Sequence, residues 1–271
     1  MYVKKEDVFD MLSSLGVKRD KKLTAHTSLR KIGEIEGRAD GLIDFFTEYL
    51  SDGLFIVPTH TWKNVNRKEP FYDARTTPPC IGTLPTVAAG RKDAFRTPHP
   101  THSLAIFGRG GEEYARGEEL CRTPAPPFSC LSRLYEEDGV ILLIGVGHER
   151  NTYLHAVEER IGVQNRISDS GFDVTVTDIS GKSYTVRDYH PHKTLGLPPG
   201  VPGCSEFYPN YKKALEYTGA VRYTSLGGAT VYCCDARKTA DTVFRLWEYA
   251  DRDLCIDSTP ISDEYIRKIF S

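Results

Sequence analysis

The sequence predicts an α/β protein: a layered mixed β-sheet flanked by helices, with an inserted β-hairpin lobe, as a single domain over residues 1–271. Three observations predict it. Short apolar runs alternate with segments of helical period, and the order strand, loop, helix, strand begins an α/β layer. Val140 to Val146 is a continuous apolar run and reads as a buried strand. Phe172-Val174-Val176 and Tyr184-Val186 alternate around Ser180-Gly181-Lys182, which is a hairpin signal outside the layer.

The elements follow in chain order. Val8 to Leu15 is a short amphipathic helix closed by Gly16, and Lys22 to Ala25 a strand leading into the loop His26-Thr27-Ser28-Leu29. Leu42, Phe45, Phe46, Tyr49 and Leu50 keep a helical period between Ala39 and Leu50. Gly53 ends that helix and Leu54 to Val57 form the next strand. Trp62 to Pro79 is polar and carries prolines, so it is expected to be a long loop of the kind that bears function. Leu84 to Ala94 reads as a helix, Ser103 to Gly108 as a strand and Gly111 to Leu120 as a helix. After the hairpin, Asp188 to Gly203 is rich in His, Pro and Gly and reads as a loop over the site. Tyr211 to Tyr217 is helical, Val221 to Thr224 and Ala229 to Cys233 are strands, and Thr239 to Asp251 and Asp263 to Phe270 are closing helices. No internal repeat or linker interrupts this order.

Bulk properties exclude several classes. The chain has 271 residues and a formal net charge of −2, so no basic surface advertises nucleic acid. No apolar run reaches the ~20 residues that span a bilayer, so no membrane partner is expected. The start, Met1-Tyr2-Val3-Lys4-Lys5, is polar and lacks the apolar region of a signal peptide. Seven cysteines, odd in number and with no CxxC pair, argue against a disulfide framework and a cysteine-based zinc site. A reducing cytoplasm is the expected compartment.

The segment Ile141 to Ile161 carries the chemistry. The loop Gly147-His148-Glu149-Arg150 follows the strand, and Asn151 and Thr152 are plausible caps for a helix bearing His155 and Glu158. Residues three apart share a helical face. A carboxylate beside an imidazole favours the protonated ring and holds it in place, which suits a general base. A surface His–Glu pair that adds only a little helix stability would have the same spacing.

Four stretches, in order, extend this reading over roughly the first 165 residues. They are His26-Thr27-Ser28-Leu29 with Ile32-Gly33 and Glu36-Gly37; Phe71-Tyr72-Asp73 with Thr77-Pro78 and Gly82-Thr83-Leu84-Pro85; Arg96-Thr97-Pro98-His99-Pro100 with Ser103 and Gly108; and Leu143 to Gly147 with Asn151-Thr152, Leu154-His155 and Glu158. Cys204-Ser205-Glu206, Gly219 and Gly228-Ala229 follow as a weaker match. In these residues the chain resembles the aminoglycoside 3-N-acetyltransferase family, antibiotic acetyltransferases unrelated to the GNAT fold. The resemblance implies an acyltransferase that moves an acetyl group from acetyl-coenzyme A to an amine, the 3-amino group of an aminoglycoside first among acceptors, in antibiotic resistance. It implies His155 as base, Glu158 as its orienting carboxylate, and Thr152 or a backbone N–H near Asn151 as donor to the oxyanion.

The remaining site residues take their roles beside plainer alternatives. A turn with two hydroxyls and free N–H groups can hold a phosphate oxygen, and Thr27 and Ser28 can equally bond their own backbone. The resemblance favours coenzyme A along His26, Thr27, Ser28 and Leu29, with Arg96 as phosphate partner and His99 and Ser103 beside it. Asp73, Glu158 and Glu206 are the carboxylates for a cationic acceptor. His99 and His102, and His190 and His192, have spacings seen in metal sites, but Pro100 and Pro191 break helical geometry, so no metal is implied. Gly145-Val146-Gly147 lacks the third glycine of a dinucleotide fingerprint and reads as close backbone approach at a strand end. Three alternatives stay open: acetyl transfer to another small amine, a thioester or ester hydrolase with Ser28 or Ser103 as nucleophile, and a coenzyme-binding protein without turnover. A homodimer also stays open.

Overall fold

A computed structural model describes residues 2–193, 204–254 and 259–271. In chain order its elements are β1 (Tyr2–Val3), α1 (Lys5–Ser14), β2 (Lys22–Thr27), α2 (Leu29–Ile32), β3 (Glu34–Ile35), α3 (Arg38–Tyr49), β4 (Leu54–Pro58), β5 (Phe71–Asp73), α4 (Thr83–Gly90), β6 (Phe95–Arg96) and β7 (Leu104–Phe107). Then come α5 (Gly111–Tyr114), α6 (Cys130–Glu136), β8 (Val140–Ile144), α7 (Tyr153–Ile161), β9 (Phe172–Thr177), β10 (Ser183–Tyr189), α8 (Lys212–Tyr217), β11 (Val221–Leu226), β12 (Ala229–Asp235), α9 (Ala236–Glu248) and α10 (Asp263–Phe270).

Seven strands form the main sheet in the order β11-β12-β8-β2-β4-β7-β6. The central β8, β2 and β4 run parallel, with His26 opposite Leu143 and Thr27 opposite Ile144, and the outer pairs are antiparallel. Period-2 side chains divide between two faces. Leu54, Ile56, Ile141 and Leu143 join the core under α6 to α10, while Phe55, Val57, Leu142 and Ile144 join the core under α1, α3 and α4. This is the expected sheet between helical layers, and both faces of its centre are buried. Hydroxyl and carboxylate caps start several helices: Ser129 accepts from Ser132 N–H at α6 and Asp235 from Lys238 N–H at α9.

The hairpin β9–β10 forms as expected, with Val174, Val176, Val186 and Tyr189 buried in a core of their own. The long loop after Trp62 contributes more than expected: its β5 pairs parallel with β9 and adds a third strand to the lobe. Two expected helices are shorter. The Gly111 to Leu120 segment breaks into α5 and a 3-10 turn at Glu118–Leu120, because Gly117 sits at φ 96°. The Leu84 to Ala94 helix is α4, which ends at Gly90. Gly145 lies at φ +69°, and a Cβ there would come within 2.9 Å of Lys31 and 3.3 Å of Ser28 and Ala229. Close approach at the strand end is therefore why a glycine stands there. Among the described residues no helix is long and apolar enough to cross a membrane. Most of the loop expected over the site, residues 194–203, lies outside the described residues.

Candidate active site

The C-terminal ends of the parallel strands bring the candidate residues together. His26 and Thr27 end β2, His60 follows β4, and the loop after β8 leads through Asn151 and Thr152 to His155 on α7. Ligands of open α/β sheets gather at such strand ends.

His155 is half-buried, and its Nδ1 lies 2.7 Å from the Tyr208 hydroxyl. That hydroxyl donates to Glu158 Oε2, also at 2.7 Å. A phenol has one proton. With it directed at Glu158, His155 Nδ1 must donate to Tyr208, and Nε2 carries the free lone pair. The direct His155–Glu158 contact expected from the spacing is replaced by this relay, because Tyr208 stands between them. Glu158 is 1% exposed and also accepts from Arg166 Nε at 3.2 Å, and Arg166 pairs with Asp253 at 2.8 Å. The charge preference also differs from expectation. Burial holds the His155 pKa well below its ordinary value, and His192, His60 and Arg166 push the same way. The ring is therefore neutral, with Nε2 ready to accept a proton.

Other histidines line the same space. The His192 ring centroid is 4.1 Å from that of His155, and His102 stands 5.1 Å from His192 and 4.6 Å from His60. His26 Nε2 lies 3.0 Å from Thr152 Oγ1, and burial lowers its pKa to about 4. Thr152 occupies the cap position of α7 but makes no cap hydrogen bond; its hydroxyl goes to His26 instead. Thr27 Oγ1, both nitrogens of His60 and both amide atoms of Asn151 are buried without a hydrogen-bond partner. Leaving such groups unpaired costs about 1–3 kcal/mol each.

Several expected roles meet a different geometry. Arg96 is 2% exposed and donates to Thr77 O at 2.7 Å and, more loosely, to Ala74 O, Thr59 O and Ser103 Oγ; it also lies over the Tyr72 ring. Its guanidinium is held inside the protein, so it is not positioned for a coenzyme phosphate. Ser103 is fully buried and donates to Thr59 O at 2.8 Å. His99 Nδ1 accepts from the Thr101 and His102 N–H groups, so Nε2 carries the proton toward Thr123 O at 3.1 Å. It orders its loop and does not face a coenzyme. Ser28 N–H donates to Ile144 O, so this N–H is not free for a phosphate, although the side chain stays partly exposed. Asp73 is tied to Arg75 at 2.7 Å. Glu206 is exposed, two residues from Tyr208 in the same 3-10 turn.

Competing chemistries find less support. No hydrogen bond joins the hydroxyl of Ser28 or Ser103 to a histidine among the described residues, so a serine hydrolase lacks its nucleophile–base pair. Burial pushes the Cys121, Cys130, Cys233 and Cys234 thiols up, away from thiolate. His99, Glu118 and Cys121 bring one donor atom each within 4.8 Å of the others, but both His99 nitrogens are already hydrogen-bonded.

Sequence reasoning missed Tyr208 and His192 as members of this site. Tyr208 lies 50 residues beyond Glu158, and no local periodicity joins them. Glu159, whose carboxylate lies 3.8 Å from His192 Nε2, was legible in principle: it lies four residues after His155, on the same face.

The model of the family described as aminoglycoside 3-N-acetyltransferase matches residues 25–248. Aminoglycoside N(3)-acetyltransferase IV of Salmonella sp. is 32% identical over 158 residues, which covers 57% of this chain and 58% of that protein. The chain is thus aligned with somewhat over half the length of this curated relative. A mutant of aminoglycoside acetyltransferase AAC(3)-IVa in complex with a gentamicin has a similar fold, with a TM-score of 0.74 and 22% identity over 100% of this chain and 98% of that one. AAC-IIIb in a binary complex with CoASH gives a TM-score of 0.71 and 15% identity over 93% of this chain and 100% of that one.

Proposed function

The chain belongs to the aminoglycoside 3-N-acetyltransferase family, and from that premise we propose that it transfers acetyl from acetyl-coenzyme A to an amine, first among them the 3-amino group of an aminoglycoside. The observation that carries the proposal is His155: a neutral imidazole, its tautomer fixed through Tyr208, with Nε2 open at the ends of the parallel strands.

An ammonium acceptor enters with three N–H protons and leaves as an amide with one. Acetyl-coenzyme A and the ammonium ion give amide, free thiol and one proton. His155 Nε2 removes one proton, which goes on to solvent, so that the nitrogen lone pair can attack the thioester carbonyl, and it takes the second proton from nitrogen as the tetrahedral intermediate forms. The C–N bond forms, the C–S bond breaks as the tetrahedral intermediate collapses, and the departing thiolate takes a proton from the His155 imidazolium. Glu158, through Tyr208, favours the imidazolium while it exists. Thr152, with its hydroxyl at the His26 edge, is our candidate donor to the oxyanion. His26, Thr27, Ser28 and Leu29 form the partly exposed rim where we seat the coenzyme. We read residues 1–271 as one domain in a reducing cytoplasm, consistent with free Cys80, Cys121, Cys130, Cys233 and Cys234.

The charges favour a second acceptor class beside the aminoglycosides. A polycation needs available carboxylates, yet Asp73 is engaged by Arg75 and Glu158 by Arg166. Glu206 remains as an exposed carboxylate for a cationic acceptor. A small amine of lower charge is therefore the alternative substrate. The test is thiol release from acetyl-coenzyme A with sisomicin, gentamicin, apramycin and a set of simple monoamines. Turnover with an aminoglycoside supports the first reading and turnover with monoamines alone the second. No release with any amine removes acetyl transfer.

A further inference from the structure

We propose that His192 is a proton-relay residue, which takes the acceptor's first proton from His155 and passes it past Glu159 to solvent. The inference rests on the acyl-transfer reading and concerns a proton which that reaction leaves over. The attacking nitrogen loses two protons. The thiolate accepts one, and the other must leave the protein at every turnover, before His155 can act again.

His155 has two nitrogens and therefore two routes. Nδ1 leads to Tyr208 and Glu158, but that route ends in a dry place. Glu158 is 1% exposed, and its other oxygen is held by Arg166, whose side chain is 4% exposed. A proton delivered there would break a buried ion pair and still be far from water.

The other route starts at the ring beside it. His192 and His155 lie with centroids 4.1 Å apart and ring planes inclined at 59°, so one ring packs against the other. His192 Nε2 is 3.8 Å from Glu159 Oε1, and its side chain keeps 13% of its surface exposed. Glu159 is fixed by the Thr123 hydroxyl at 2.6 Å and the Ala125 N–H at 2.7 Å, and can steady a passing positive charge without moving. His102 is the other ring against His192. The segment carrying His192 is pinned at three points: Ser168 N–H to Pro191 O, an antiparallel bridge between Ile167 and His192, and Lys193 N–H to Arg166 O. A residue held so firmly between the base and an exposed edge suits proton transfer. None of the matching sequence motifs includes it.

Chemical rescue tests the relay. Thiol release is measured with acetyl-coenzyme A and the best acceptor of the amine panel, in dilute buffer that transfers protons poorly. His192→Ala should lower kcat about tenfold or more and leave the KM for acetyl-coenzyme A unchanged. Added imidazole should restore kcat saturably in the variant and leave the wild type unaffected. His192→Gln, which fills the site but cannot take up and release a proton, should behave alike, and it replaces the alanine variant if that one does not fold. An unchanged kcat in either folded variant overturns the relay, as does a loss that imidazole cannot restore. No thiol release by the wild type with any amine overturns the acyl-transfer reading and the relay together; an active wild type with an unaffected variant overturns the relay alone.

Discussion

His155 and His190 are the same side chain in two regions, and the regions treat them oppositely. At the strand ends, burial keeps His155 neutral. On the lobe, the Ser168 carbonyl and Asp188 raise the pKa of His190 at an exposed edge. Beside the base, the charges of Glu158 and Arg166 are buried and paired; the lobe carries exposed pairs such as Arg187–Asp173, whose side chains are 73% and 48% exposed. Exposed pairs contribute about 0–1 kcal/mol because water and salt screen them. The difference teaches where chemistry can reside: a base must be neutral when substrate arrives, and only the dry region keeps it so.

The largest effect should come from the base itself. His155→Ala should lower kcat by about 10²–10⁴, the usual worth of general acid–base catalysis, with coenzyme affinity little changed. Single-turnover kinetics and calorimetry on one preparation separate the two. A variant that keeps its turnover would erase the contrast between the two regions. Arg96→Ala comes next, and its effect should fall on stability. Removing a buried guanidinium strands the Thr77 and Ala74 carbonyls, at a cost of about 3 kcal/mol, read from the urea midpoint. Affinity for coenzyme A should not change in the folded fraction.

Much of this was legible in the chain and some was not. The buried run at Val140, the hairpin and the glycine at position 145 follow from local patterns, because strand burial and close approach constrain neighbouring residues directly. The strand-to-helix placement of His155 follows for the same reason. Tyr208 does not: it reaches His155 by tertiary packing, from a turn more than fifty residues away. Arg96 shows the converse failure. An arginine beside motif residues reads as a phosphate partner, but only the fold reveals the carbonyls that surround it.

Tyr208→Phe sharpens the comparison within the dry region. It leaves His155 Nδ1 and Glu158 Oε2 without their shared partner and releases the tautomer. Each unpaired buried group costs about 1–3 kcal/mol, so kcat should fall about 10–100-fold if the transition state feels the loss of one. A rate equal to wild type would mean that Glu158 orients nothing through this hydroxyl.

Acid should find the same boundary. Burial lowers the pKa of His26, His99 and His148 from 6.5 to about 4. Between those values the unfolded chain binds more protons than the folded one, so stability falls as pH drops from 6.5 toward 4 and levels off below. Glu118 opposes this, since burial raises its pKa from 4.5 to about 7 and the folded state then binds the extra proton. One carboxyl against several histidines leaves the net slope positive with pH. A urea midpoint that stays flat or rises from pH 6.5 to 4.5 would contradict the neutral-histidine picture.

The smallest effect belongs to the lobe. Asp73 meets the Arg75 guanidinium through two hydrogen bonds, at 3.0 and 2.7 Å, and the Arg75 backbone N–H through a third at 2.8 Å, while the arginine remains 47% exposed. Such a pair stabilises little, so Asp73→Asn should shift the urea midpoint by an amount equivalent to less than about 0.5 kcal/mol. Its effect on the acceptor is the finer measurement. Because Arg75 already neutralises the carboxylate, the KM for an aminoglycoside should change by no more than about twofold. The KM for a monoamine should not change at all. A tenfold rise confined to the polycationic acceptor would mean that Asp73 exchanges Arg75 for substrate, and the lobe would then belong to the acceptor site rather than stand outside it.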